Sequence, residues 1–151
     1  MSGRVAACPM LFGQDRHALR QIFFRAWRKH GAGEPLDDAE KLVVSVAQRH
    51  PEYHALLADD SAATRDWSPE QGESNPFLHM AMHIAIEEQF AIDRPPGIRA
   101  GYQALLKEFG DEHEAQHRML DCLGETLWHA GRDCAPPNDA NYLECLRRLA
   151  Q

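Results

Sequence analysis

Six of the nine histidines in this chain form pairs whose two members are four residues apart. The pairs are His50/His54, His79/His83 and His113/His117. Random placement of nine histidines among 151 residues gives roughly half of one such pair. Residues four apart lie one above the other on a helix, so each pair can present two imidazoles to one point. Because imidazole is the commonest protein ligand for transition metals, the pairs predict a metal site.

Helical periodicity separates the three pairs. His79 and His83 share a stripe with apolar neighbours, and Glu87, one turn beyond His83, adds a carboxylate to it. His113 and His117 continue a second apolar stripe. Polar groups in a core are costly unless they are paired or ligated, so these five side chains are predicted metal ligands.

The third pair has a different local sequence. Pro51 interrupts the helix that would align His50 with His54, so these two histidines are candidate additional ligands. A mostly nitrogen ligand set with one carboxylate suits iron or zinc and disfavours magnesium or calcium. Six histidines with Glu87 would support a dinuclear iron centre, with dioxygen or redox chemistry on a small molecule. Three histidines with a water would make a zinc-type site.

Two other functions compete with this interpretation. Residues 113–117 spell H-E-x-x-H, in which Glu114 would be the general base of a zinc hydrolase. Alternatively, the protein is an interaction protein, metal-free or stabilised by structural zinc. Its histidines would then be hydrogen-bonded core groups, and the acidic loop at residues 59–74 would contact a partner. The sequence leaves open whether the protein is an enzyme.

Composition limits the class of protein. A hydrophobic content of 44% and a charged content of 26% are those of a globular domain. A net charge of −7 argues against nucleic acid and anionic membranes as partners. The four cysteines form no C-x-x-C pair and are expected to be free thiols in the cytoplasm. We expect a single domain over residues 1–151, with 1–10 as a disordered extension; the oligomeric state stays open, a homodimer included.

Only helices are predicted. Asp37 and Glu40 form a capping-box pattern, and Asn75-Pro76 is typical of a helix start. A long helical pattern contains Gly110, where the helix would kink or restart. The predicted helices cover residues 15–30, 38–50, 75–92, 97–130 and 139–150. These segments predict an all-α, four-helix bundle-like fold with a short C-terminal helix.

Several of these segments resemble a bacterial family known as domain of unknown function 1841. The similar segments are residues 50–54, 75–89 and 93–99, together with His113/His117 and Leu127-Trp128. The resemblance covers nearly everything from Leu11 onwards. It implies a bacterial cytoplasmic protein and brings no established activity.

The metal-site pattern also resembles two groups of helical bundles. Hemerythrin-like proteins have H-x-x-x-E and H-x-x-x-H pairs similar to His83/Glu87 and His113/His117. This chain departs from them in its additional His79 and in lacking a clear final H-x-x-x-x-D motif. DinB-like bundles combine an early histidine with a later H-x-x-x-H pair. Neither similarity implies a particular activity for this chain.

Overall fold

The computed structural model describes residues 16–65, 67 and 75–151 of the chain, and the described part is helical without a β-strand. It contains two 3₁₀ helices, Pro51–Tyr53 and Asp60–Thr64. The α-helices are α1 (Arg16–Ala32), α2 (Asp38–Gln48), α3 (His54–Leu57), α4 (Pro76–Ile92), α5 (Ile98–Phe109), α6 (Glu112–Asp133) and α7 (Asp139–Leu149). The all-α prediction is confirmed. The extension predicted at residues 1–10 lies outside the described residues.

The number of helices differs from the prediction because of one glycine and one proline. Gly110 adopts φ 70°, a left-handed conformation that ends α5, and Asp111 then caps α6 by accepting a hydrogen bond from the Glu114 N–H. The pattern predicted over residues 97–130 is therefore two helices. Pro51 ends the α2 segment and begins a 3₁₀ turn that leads into the short α3.

The helices group into two compact units, with the boundary at Glu87, inside α4. The N-terminal unit comprises residues 15–87, and the described part of the C-terminal unit comprises residues 88–151. The single domain and the bundle-like arrangement of the whole chain stay predictions. None of the described helices has the length and apolar character needed to cross a membrane.

Aromatic packing forms the centre of the N-terminal unit. Phe23 and Phe24 of α1 each contact Phe77 of α4, with ring centroids 5.8 and 5.7 Å apart. Val46 and Ala47 of α2 belong to the same core and are fully buried. Burying a Phe or Val side chain contributes about 1.5–3 kcal/mol, so this core fixes α1, α2 and the start of α4.

Part of the predicted acidic loop is ordered against α1. Its first residues form the 3₁₀ helix Asp60–Thr64, which buries Ala62 and Ala63. Arg20 of α1, only 4% exposed, donates hydrogen bonds to the carbonyl oxygens of Ala63 (2.9 Å) and Arg65 (2.8 Å). This segment is therefore part of the fold rather than an irregular loop. Residues 66 and 68–74 of the predicted loop lie outside the described residues.

The predicted capping box at the start of α2 is confirmed. Asp37 accepts from the Glu40 N–H at 2.8 Å, and the Glu40 carboxylate accepts from the Asp37 N–H at 3.0 Å. Lys29 and Arg25 of α1 also contact this carboxylate, at 3.1 and 3.3 Å. The Asp37 N–H and these two cations lower the pKa of Glu40 to about 2, against the opposing effect of burial.

We predict that Glu40→Gln makes the free energy of unfolding depend less strongly on pH in the acidic range. Because the pKa of Glu40 is lowered on folding, its contribution is present above the unfolded pKa of about 4.5 and is lost as the pH falls towards 2. Urea unfolding at several pH values should show a less stable variant at pH 7 and a difference that shrinks at low pH. Glu34→Gln, at an exposed position, is the control and should change little. A Glu40→Gln deficit that stays constant with pH would contradict the prediction.

In the C-terminal unit, α5, α6 and α7 pack against one another. Tyr142 and Leu146 of α7 are buried, and the Tyr142 hydroxyl donates to Gln89 Oε1 at 2.9 Å. Burial raises the pKa of this phenol. At Gly101 of α5 a Cβ atom would lie 3.3 Å from Leu146 Cδ1, so the small residue allows α7 to approach closely.

The prediction that the cysteines are free thiols is wrong for one pair. Cys122 of α6 and Cys145 of α7 form a disulfide bond. The two residues are 23 positions apart in the chain, but helix packing brings their Cα atoms to 5.8 Å, an ordinary disulfide separation. Cys134 is a free, exposed thiol, and Cys8 lies outside the described residues. Spacing in the sequence could not reveal a pairing that depends on this packing.

Candidate metal centre

His50 is directed into the N-terminal unit by the proline that follows it. A residue before proline avoids the helical conformation, and His50 adopts φ −127°, ψ 71° after the end of α2. Its ring turns back towards α2, and the distance from its Nδ1 atom to the Val46 carbonyl oxygen is 2.8 Å. The side chain is 1% exposed. Because a carbonyl oxygen only accepts, Nδ1 of His50 carries the hydrogen, and the neutral ring has its lone pair on Nε2.

His79 and His83 are placed by the start of α4. Asn75 accepts hydrogen bonds from the N–H groups of Phe77 and Leu78, and Pro76 occupies the first helical position, as predicted. One helical turn then separates the two histidines, and their Nε2 atoms lie 3.2 Å apart. His83 is 1% exposed and His79 is half-buried. The predicted pairing of these two imidazoles on one helix face is confirmed.

The three histidines converge. His79 Nε2 lies 3.2 Å from His50 Nε2, and one ring nitrogen from each of His50, His79 and His83 lies within 4.8 Å of the others. Two nitrogens bound tetrahedrally to zinc at its usual bond length are separated by roughly 3.3 Å. The spacing of the cluster therefore fits nitrogen ligands of one transition-metal ion. We call these three residues the histidine cluster.

The tautomers of the cluster favour a shared ligand. With the lone pair of His50 on Nε2, the neighbouring Nε2 of His79 must carry a hydrogen to form a hydrogen bond. His79 Nε2 is also 3.2 Å from His83 Nε2, so in neutral rings one hydrogen would serve both contacts. A metal ion would accept a lone pair from each of the three rings, and no hydrogen would then have to serve two contacts. A backbone carbonyl that holds the second nitrogen of a ligating histidine is a common feature of metal sites.

Tyr53 completes the surroundings of the cluster, and the sequence reasoning did not identify it. Its ring stacks on that of His50, with centroids 5.4 Å apart and planes at 9°, and it lies 6.2 Å from the ring of His79. Burial, together with the charge of Glu52, raises the pKa of the Tyr53 phenol. Tyr53 follows His50 by three positions through a 3₁₀ turn, where residues three apart eclipse. This spacing of three residues is the feature of the sequence from which the contact between Tyr53 and His50 could have been predicted.

Two predicted ligands of the N-terminal unit are not brought to the cluster. His54 Nε2 donates to the Ala47 carbonyl oxygen at 2.8 Å, and its ring packs against that of Trp27, with centroids 4.5 Å apart and planes tilted by 35°. Glu87 forms an ion pair with Arg49, with 3.2 Å between Oε1 and Nη2, and its side chain is 31% exposed. This ion pair engages the carboxylate that the sequence predicts as a metal ligand, and a metal role for Glu87 stays a prediction. The histidine cluster contains neutral donors only.

His113 and His117 lie on α6 of the C-terminal unit, with ring centroids 4.0 Å apart. The expectation that both face the core is wrong for His113, which is exposed. The reason is the restart of the helix at Asp111, which breaks the register carried over from α5. Glu114, the predicted general base, forms an ion pair with Arg118 at 3.0 Å on the surface of α6. A metal role for His113 and His117 stays a prediction from the sequence.

The fold and the site together define an all-α protein with a largely buried histidine cluster that could hold a transition metal. The model of one family, described as domain of unknown function (DUF1841), matches residues 15–148. The chain belongs to this family. Searches of curated proteins and of solved structures found no match, so the weaker similarity to hemerythrin-like and DinB-like bundles gains no support.

Proposed function

We propose that this protein binds one transition-metal ion through the Nε2 atoms of His50, His79 and His83. The observation that carries the proposal is the pair of 3.2 Å contacts between these nitrogens, with the lone pair of His50 fixed towards the cluster by the Val46 carbonyl. Burial of His50 and His83 would also keep competing water away from the ligands.

The donor set limits the metal. Neutral imidazoles suit zinc, iron, copper or nickel, and the absence of a carboxylate among the three donors disfavours magnesium and calcium. Three histidine ligands also leave a coordination position for an exchangeable ligand, as in zinc enzymes. Such an ion would act as a Lewis acid or a redox centre towards a small molecule or dioxygen. The single point of convergence supports one ion rather than the dinuclear centre.

His113 and His117 are candidates for further donors on the strength of their spacing alone. The zinc hydrolase alternative needs Glu114 as a base, and its ion pair with Arg118 disfavours that role. The rival function is a metal-free interaction protein in which the cluster is a hydrogen-bonded chain. The bond from His50 to Val46 supports it equally, because it would anchor such a chain.

A metal titration separates the two functions. Untagged protein, stripped with a chelator, should take up about one equivalent of Co²⁺ or Zn²⁺, and below about pH 6.5 the uptake should release protons, because the ligand is the neutral form of histidine. Affinity should fall as the pH drops below the ordinary histidine pKa of about 6.5. Cobalt absorption and elemental analysis measure the uptake, with His129→Ala, at an exposed position, as the control. Uptake below about a tenth of an equivalent, after refolding with zinc, iron or cobalt, would establish the metal-free alternative.

A further inference from the structure

The Cys122–Cys145 disulfide lies in the wall of a cavity in the C-terminal unit. The cavity has a volume of about 500 Å³ and is lined by residues of α6, of α7 and of the segment between them. Both cysteines line it. Cavities of this size accept small organic ligands. The disulfide is thus not sealed inside the helical packing.

The two sulfur-bearing residues differ in exposure. Cys122 is 1% exposed, whereas Cys145 is half-buried. Thiol–disulfide exchange proceeds by attack of a thiolate on one sulfur, so access decides which sulfur reacts. Because Cys145 is the less buried of the two, a thiolate that enters the cavity would attack Cys145 Sγ, and the sulfur of Cys122 would be the leaving group.

The charges of the cavity indicate which thiol it would accept. Three acidic residues line the cavity: Asp133 is paired with Arg132, Glu144 is paired with Arg147, and Glu125, with its side chain 64% exposed, lies 3.8 Å from His129. Within the described residues, Arg148 forms no ion pair, and it lines the cavity. It follows Cys145 by three positions, which places the two side chains on one face of α7. A free guanidinium beside the more exposed sulfur favours a ligand with a carboxylate.

We propose that this cavity is a site for a low-molecular-weight thiol bearing carboxylates, which opens the disulfide at Cys145. The incoming thiolate forms a bond to Cys145 Sγ, the bond between the two cysteines breaks, and Cys122 leaves as a thiolate. A second molecule of the thiol then attacks the mixed disulfide, forms the oxidised small-molecule disulfide and releases Cys145 as a thiolate. The protein disulfide gains two electrons, and the thiols supply them. The covalent link between α6 and α7 is thereby under redox control.

The test uses the full chain with Cys8→Ser and Cys134→Ser, so that only the disulfide reacts. Folded protein is mixed with glutathione, a thiol with two carboxylates, and the adduct is trapped by acid and located by mass spectrometry. We expect a mixed disulfide on Cys145, formed at a rate that low urea concentrations leave unchanged. An adduct on Cys122, or a rate that rises in parallel with the unfolded fraction, would overturn the proposal.

Arg148→Ala provides the second arm. Removing the charge of Arg148, three positions from Cys145 on α7, should slow glutathione by about threefold and leave the neutral thiol 2-mercaptoethanol unaffected. Lys107→Ala is the matched control, because it removes the same charge from an exposed position of α5 that does not line the cavity. Equal slowing of both thiols, or of both variants, would refute the recognition of a carboxylate by Arg148.

Discussion

Replacing His83 by Ala is expected to lower metal affinity by more than about 100-fold, beyond the loss of about 10–100-fold that is typical when a residue hydrogen-bonded to a ligand is changed. The reason is geometric: His83 Nε2 lies 3.2 Å from His79 Nε2, and two imidazoles cannot hold an ion as three do. Wild-type protein at a metal concentration 100 times its Kd should gain about 2.7 kcal/mol of stability, and the variant should gain almost none. Titration of stripped protein and thermal unfolding with and without metal measure both effects.

Comparing each variant with and without metal separates ligation from packing. His83→Ala leaves a space in the interior and lowers the stability of the metal-free protein as well, so the informative quantity is the stabilisation by added metal. His54→Ala is the matched control, because His54 is bonded to the Ala47 carbonyl and lies outside the cluster. His117→Ala tests the sequence prediction for α6. Unchanged affinity in His83→Ala would show that the histidine cluster is not the metal site.

Reduction of the Cys122–Cys145 disulfide is expected to lower the free energy of unfolding by about 3 kcal/mol. The bond closes a loop with a sequence separation of 23, and the chain-entropy estimate for such a loop gives this value. In a domain of this size the loss corresponds to a decrease in Tm of roughly 6–12 °C. Thermal unfolding with and without a reductant, in a chain whose other two cysteines are serine, measures it.

A variant without the bond distinguishes this effect from a general effect of the reductant. Cys122→Ala with Cys145→Ala should have a Tm that the reductant does not change. The exposed thiol at Cys134 gives a second comparison, because Cys134→Ser should leave Tm near its wild-type value. If the reductant lowers Tm equally in the chain without the disulfide, the crosslink contributes no stability.

The features that the sequence predicted correctly depend on neighbours along the chain. The capping box at Asp37, the helix start at Asn75 and the pairing of His79 with His83 all involve groups no more than four positions apart. Backbone geometry alone brings such groups together. The helical class and two of the three cluster histidines could therefore be predicted without a structure.

The errors arose where a contact depends on distant residues. Arg49 and Glu87 are 38 positions apart, and the sequence reasoning did not anticipate the ion pair that engages the predicted carboxylate ligand. The restart of α6 at Asp111 changes the face on which His113 lies. The periodicity of apolar residues along the sequence does not reveal the partner of a charged side chain. It also does not reveal which face of a helix a residue occupies after the helix has been interrupted.

The sequence by itself determined the helices and the two imidazoles of α4, because one helical turn sets their separation. Only the tertiary structure decided that His50 joins them and that His54 does not. Pro51 prevents α2 from continuing, and the packing of α2 near α4 brings a residue 29 positions away to 3.2 Å from His79. The same holds for the disulfide, since α6 and α7 must pack before Cys122 and Cys145 can meet. Contacts between distant residues form because the helices bury a shared apolar core. The spacing of residues along the sequence does not show which helices will share that core.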